Sequence, residues 1–428
     1  MISKRDMDIK SIGMDSRFSK ASTLILGFCC VFGVLVSTKW LLGNSIASRV
    51  DSKEVAQVAV GLAPSDPNPH FALAVMLERS FLPEDLPKSV VEYEKAVALS
   101  PNDYRLWLGL GKARERNGDI AGTEKALKRA IELAPNYSQV QWAFGNVLLR
   151  EGKTEEAFTE IRKAVENDPK FASPAATTAW QMFEGDIEKV KQTIGDSSAV
   201  KSALATFLAR QKRYDEAYQI WKALPDEGKK TDFKTDGERI SAAFLAAKKY
   251  KNVLEIQTAI SEKGDVNFKL GEVTNPGFET NVRTEKAGTF EWQIGKGLQP
   301  QFSISSNEKH EGSQSLAINF RATKKTEFRP ISQTVVLDGG RNYRFEIFYK
   351  SDLDTSSTVK WEIFDTQSRK VIASTEALDQ KTDWKSMSVN FDLPEDSEAV
   401  IVRWARAGCK QTICPIKGTV WIDDISIR

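Results

Sequence analysis

The chain has 428 residues, 41% of them apolar, which is enough for two or three domains with their own cores. A net charge of +2 gives no basic field for a nucleic acid, and no DNA- or RNA-binding motif is present. Only two histidines occur, so imidazole-based catalysis has little material to work with.

Lys4, Arg5, Lys10, Arg17 and Lys20 precede an uncharged run from Ala21 to Thr38, centred on LILGFCCVFGVLV. At a helical rise of about 1.5 Å per residue the run crosses most of a bilayer, and Lys39 and Trp40 suit its interface. The pattern predicts a cytoplasmic tail at 1–20 and a transmembrane anchor at 21–42. Basic residues favour the cytoplasmic side, so the rest of the chain is expected beyond a bacterial inner membrane crossed once. A cleaved secretory signal is the competing reading, because SIAS offers a small-x-small site ending at Ala47. Phe28 precedes Cys29 where lipoprotein processing expects a small residue, which leaves Cys29 and Cys30 as apolar residues of a lipid-facing helix.

Pro101, Pro135 and Pro169 then recur 34 residues apart, each closing a helical stretch of the same apolar pattern. In the middle unit Trp107, Leu110 and Gly111 mark a first helix, Gly118 and Asp119 a turn, and Leu127, Ala130, Ile131 and Leu133 a second helix. Gly111 and Ala130 are small where two helices must approach, and a proline cannot continue a helix. Phe144, Gly145, Gly152, Ala157, Ile161, Ala164 and Val165 repeat the pattern. Tyr93, Ala96, Val97 and Leu99 begin it, with an irregular PEDLP turn and Leu77 in place of the glycine. Period and positions resemble the tetratricopeptide repeat family, which implies a solenoid of stacked helical hairpins. The repeats are expected over 52–171 and degenerate hairpins over 172–263, where RYDEAYQIWKAL restores the second-helix pattern with Ala217 and Trp221. The resemblance implies a groove for a protein partner. It would be lined by Phe71, Ala74 and Glu78, then Arg105, Leu108 and Lys112, then Gln139, Trp142 and Asn146, with Trp142 as the anchor.

After Gly264 the pattern turns to short alternating runs separated by Gly, Asn, Asp and Pro, which predicts an all-β domain over 265–428. Leu316, Ile318 and Phe320 share a face, as do Tyr343, Phe345, Ile347 and Tyr349, and Val359, Trp361 and Ile363. About eight such strands suit a two-sheet sandwich. Cys409 and Cys414 sit in one loop and are expected to form a local disulfide in an oxidising compartment, since a zinc site would need two more soft ligands.

NPGFE at Asn275–Glu279, the following Trp292, HEGSQSL at His310–Leu316 and the closing VWIDDISI resemble, in the right order, the jelly-roll carbohydrate-binding modules attached to polysaccharide-degrading enzymes. That resemblance implies a structural calcium held by Glu279 and Asp424, with Glu311 or a backbone carbonyl as a further ligand. It also implies aromatic faces that stack on sugar rings. Phe348 and Phe364 lie opposite their apolar neighbours, and Trp361, Trp384, Trp404 and Tyr349 lie on or beside strands. His310 is expected to be structural.

No phosphate loop, dinucleotide fingerprint or nucleophile motif appears, and all the length is taken by repeats and one sandwich, so a non-enzyme is expected. The combination predicts a membrane-anchored, exported scaffold. Its repeats would recruit a protein of the envelope polysaccharide assembly or secretion machinery, while the sandwich contacts glycan or the same complex. The alternative is a carbohydrate-binding protein proper, with the repeats as a spacer.

Overall fold

The computed structural model describes residues 17–80, 82–262, 268–283, 285–324, 327–355, 357–407 and 413–428. The chain divides into two compact units, Met1–Asp196 and Ser197–Arg428.

In the first unit a long helix α1 (Arg17–Ala47) leads into α2 (Lys53–Leu62). Pairs follow: α3 (Pro67–Arg79) with α4 (Leu86–Leu99), α5 (Tyr104–Arg116) with α6 (Ile120–Leu133), α7 (Ser138–Arg150) with α8 (Thr154–Asn167), and α9 (Ala172–Met182) with α10 (Ile187–Ile194). Asp103 and Asp119 start α5 and α6 by accepting the Arg105 and Gly122 amides, which a first helical turn leaves without backbone partners. The small residues of the repeat sit where the two helices of a pair touch. A Cβ on Gly111 would come within 2.6 Å of Leu127 and one on Gly145 within 2.7 Å of Ile161, while Ala130 and Ala164 are fully buried. The irregular turn of the first pair is fastened to α2: buried Asp85 meets Lys53 at 3.0 Å and Lys88 at 2.9 Å.

The second unit opens with α11 (Ser198–Arg210), α12 (Tyr214–Lys222), α13 (Asp226–Lys230), α14 (Lys234–Ala246) and α15 (Tyr250–Ile260). Trp221 is buried at the contact with α14, where a Cβ on Gly237 would come within 2.7 Å of its ring. Two five-stranded antiparallel sheets follow. One runs β1 (Gln293–Ile294), β4 (Ile331–Val336), β9 (Ala399–Ala407), β6 (Thr358–Asp365), β7 (Lys370–Ser374). The other runs β2 (Gln301–Ser305), β3 (Ser315–Lys324), β10 (Ile413–Ile427), β5 (Asn342–Thr355), β8 (Lys381–Asp392). Alternate residues turn inward as a period of two requires, and Ile318, Phe320, Phe345, Ile347, Trp361 and Val402 meet in a single core.

The change of pattern near Gly264 marks the passage from helix to strand, but the compact units part at Asp196. The last helical hairpin is bound to the sandwich by polar contacts. Glu398 accepts the Lys251 amide at the start of α15 at 2.9 Å, Lys251 Nζ reaches Asp338 at 2.8 Å, and Lys248 Nζ donates to the Gln367 carbonyl at 2.9 Å.

Candidate functional site

Two surfaces carry the functional expectations. The first is formed by α3, α5 and α7. Phe71 meets Tyr93 edge-on with centroids 5.7 Å apart, Arg105 pairs with Asp103, and Trp142 stacks on Phe171 at 5.3 Å. Asn146 donates to the Trp142 carbonyl and so fixes the backbone beneath that ring. Leu108 and Ala74 are corrections, because both are buried. Leu108 packs with Val140 and Phe144 of the next pair, and Ala74 packs with Tyr93 and Leu106, so neither offers a surface to a partner.

Ion pairs link successive helices of this face: Arg116 of α5 with Glu78 of α3 at 3.3 Å, and Arg150 of α7 with Glu115 of α5. Burial pushes the Glu78 carboxyl up, against the charges of Arg116 and Lys112 and the hydroxyl of Tyr93. The helical period gave Glu78 and Lys112 their place on this face. The inter-repeat pairing of Arg116 and Arg150 depends on how the pairs stack.

The second surface lies at the end of β10. A β-bulge between Asp423 and Ser426 interrupts pairing with β5, and Asp424 takes a left-handed φ of 46°. The bulge splits the roles of the two adjacent aspartates. Asp423 is fully buried and accepts the His310 and Glu311 amides at 2.9 and 3.2 Å, while Asp424 turns toward His310 and meets its Nδ1 at 2.7 Å. Burial pushes the Asp423 carboxyl up against those amide bonds.

Glu279 joins the two loop motifs, since its Oε1 accepts the amides of Ser313 at 2.8 Å and Gln314 at 3.2 Å. These bonds, led by that from Ser313, hold its carboxyl below the usual range. Gly312, at a φ of 61°, leaves room for them, because a Cβ there would come within 2.0 Å of Glu279 Oε1. Ligand atoms of His310, Glu311 and Asp424 lie within 4.8 Å of one another. Glu279 is outside that group, yet its side chain, Asp423 and Asp424 all border Gly277. The donor set is mainly hard carboxylate oxygen, which fits calcium better than a thiophilic metal.

The aromatic candidates separate. On the outer face of the β10 sheet, Phe348 is covered by the His310 ring at 3.9 Å, and Trp384 stands 5.8 Å from the same imidazole. Lys350 beside them bridges Glu308 at 3.1 Å and Asp383 at 3.3 Å. Phe364 lies on the other sheet with the Arg403 guanidinium 4.7 Å from its ring centre, and Arg403 in turn binds Glu362 through two nitrogens. Trp361, Trp404 and Tyr349 are corrections: all three are buried in the sandwich core, where the rings of Trp361 and Trp404 meet edge to face at 5.4 Å. Strand alternation turns them inward, away from any glycan. His310, expected to be structural, is the residue that brings the aromatic and carboxylate groups together. Its place in HEGSQSL gave no sign of this, because Phe348 and Asp424 reach it from distant strands.

The disulfide expected of Cys409 and Cys414 turns on Cys409, which lies outside the described residues. Cys414 is buried on β10, and Cys29 and Cys30 are exposed, free cysteines on α1. That helix is long and apolar enough over Lys20–Ala47 to cross a membrane, by length and composition.

Residues 85–138 and 108–170 match the family model for the tetratricopeptide repeat, and residues 272–405 match that for a carbohydrate binding domain. The chain carries tetratricopeptide repeats and a carbohydrate-binding domain. No curated protein matches it. Among solved structures it is similar to the N-terminal endo-1,4-beta-D-xylanase 10B of Clostridium thermocellum, complexed with xylohexaose. The identity there is 18% over 37% of this chain and 29% of that one, with a TM-score of 0.27. A CBM4 structure shares 15% identity over 36% of this chain and 97% of its own, with a TM-score of 0.27. YrrB, described as a TPR protein with an unusual peptide-binding site, shares 15% over 49% and 92%, with a TM-score of 0.26. At such identities and scores these likenesses carry no functional argument. The tetratricopeptide repeats are a protein-interaction scaffold by their architecture, and the carbohydrate-binding domain supplies the sandwich.

Proposed function

We propose that this is a membrane-anchored, exported scaffold without catalytic activity. Its repeats hold a protein of the envelope polysaccharide assembly or secretion machinery, and its carbohydrate-binding domain engages glycan at the His310–Phe348–Trp384 face. The observation that carries the glycan half is the partly buried Trp384 beside the His310–Phe348 stack, flanked by the charged Lys350, Glu308 and Asp383. An aromatic plane with polar neighbours is what a sugar ring needs for stacking and hydrogen bonding. The apolar helix α1 supports the anchor, and the basic residues before it support export of the remainder. A structural calcium is proposed at Glu279, Glu311 and Asp424, where it would tie the first loop of the domain to its last strand. The Cys409–Cys414 disulfide belongs to the same exported reading.

The non-catalytic reading is supported by the family matches, which assign residues 85–170 and 272–405 to tetratricopeptide repeats and a carbohydrate binding domain. His70 is bonded through one ring nitrogen to Glu92 and through the other to the Pro64 carbonyl, and His310 is stacked and paired.

The second reading, a carbohydrate-binding protein whose repeats are a spacer, is favoured by the ion pairs of α3, α5 and α7. Arg116 and Arg150 are engaged by the chain's own Glu78 and Glu115 rather than left for a partner. Retention of the detergent-solubilised full chain on immobilised polysaccharides, with calcium or with chelator, tests the glycan half. Retention that Trp384→Ala abolishes supports it, and no retention on any polysaccharide contradicts it.

A further inference from the structure

The last turn of α1 differs from the rest of that helix. From Leu24 to Leu42 its large apolar side chains are 49–75% exposed, whereas Gly43 is buried and Ala47 is 9% exposed. Gly43 touches the backbone of α2: a Cβ there would come within 2.7 Å of the Ala63 Cβ and 3.0 Å of the Ala59 carbonyl oxygen. Ala47 packs with Ala59 and Ala72, joined by Ile46 and Val50. Asn44 donates to Asp66 at 3.0 Å and accepts from Asn68 at 3.1 Å, while the 5%-exposed Asp66 starts α3 by accepting the Asn68 amide.

We infer that α1 is retained in the mature protein, with Gly43–Ala47 built into the folded unit as its first structural helix and the apolar stretch before them continuing into the membrane. The membrane part of this statement rests on the anchor proposed above; the retention rests on the packing. Cleavage after Ala47, the site that SIAS offers, would remove the surface that covers Ala59 and Ala63 and the amide that bonds buried Asp66. The two uses of the helix fit along its length. Ala21–Leu42 alone covers roughly 33 Å at the helical rise, against a hydrocarbon core of about 30 Å, so the docked turn is not needed for the span. No linker then separates bilayer from fold, and α2 and α3 begin at the membrane surface.

The test is the mass of the full chain, produced with a C-terminal tag in a bacterial host, after separation of membranes by alkaline carbonate. A chain beginning at Met1 supports the inference, and one beginning at Ser48 overturns it. An intact chain that carbonate extracts from the membrane supports retention while contradicting the anchor, so the two ideas fail separately. In detergent, Gly43→Leu is expected to lower the thermal midpoint by about 2–8 °C through the clash with α2, and Asn44→Ala to lower it by less. Gly33→Leu, where nothing lies within 4 Å, leaves it unchanged. Gly43→Leu and Asn44→Ala both matching the wild-type midpoint would overturn the docked role.

Discussion

The imidazole of His310 lies flat on the ring of Phe348, with centroids 3.9 Å apart and planes 15° from parallel, while its Nδ1 meets the Asp424 carboxylate. One side chain thereby joins the aromatic patch to the carboxylate cluster. His310→Ala is expected to weaken glycan binding and, since it removes the partner of Asp424, to reduce the rise in thermal midpoint expected on adding calcium to the proposed site. Differential scanning calorimetry with and without calcium, beside titration calorimetry with the glycan, reads both effects. Loss of one without the other would show that the patch and the cluster act separately.

Trp384 and Phe364 occupy different sheets, so they cannot share one ligand surface. Trp384→Ala is predicted to lower glycan affinity about tenfold or more, equivalent to about 1.4 kcal/mol. Phe364→Ala, whose ring is already covered by Arg403, is predicted to change it less than about twofold. Titration calorimetry on the two variants decides, and the reverse order would move the site to the other sheet.

Hydrogen bonding from Lys251 holds the Asp338 carboxyl below its usual range. A carboxyl depressed in the fold contributes stability above its unfolded value, about 3.9, and that stability is lost as pH falls through the folded value. The α14–α15 hairpin is therefore expected to loosen from the sandwich below about pH 4. Hydrogen exchange of the α15 amides reads this. Lys251→Ala should raise exchange there at neutral pH and flatten its acid dependence.

Glu78 has the opposite sign. Burial raises its carboxyl in the fold, so its contribution to stability is greatest below the unfolded value of about 4.3 and declines as pH rises through the folded one. Glu78→Gln keeps an oxygen for Tyr93 and leaves Arg116 more than half exposed to solvent. It is expected to raise the thermal midpoint at pH 7 by about 2–4 °C, with the gain disappearing near pH 4. Melting curves across that range check it.

These sites differ in how far the sequence reveals them. The hairpins were legible because Gly111, Gly145, Ala130 and Ala164 recur where helices touch, and a small residue at a close contact is a local requirement. The sandwich was legible from strand alternation, which also places Trp361 inward with Val359 and Ile363, so its aromatic ring is no sign of a glycan surface. The burial of Leu108 was not legible, because Val140 and Phe144 cover it from the next pair. Nor was the role of His310, which rests on a bulge that turns Asp424 toward it from over a hundred residues away. The division at Asp196 was hidden for the same reason, since Lys251 meets Glu398 and Asp338 from 147 and 87 residues away in the sequence.

The most direct test of the scaffold's glycan half is retention of the full chain on a polysaccharide panel in calcium, compared with Trp384→Ala and His310→Ala. Retention on at least one polysaccharide, lost in both variants, is expected. Retention unchanged in both, or absent for the wild-type chain on every polysaccharide, would contradict it.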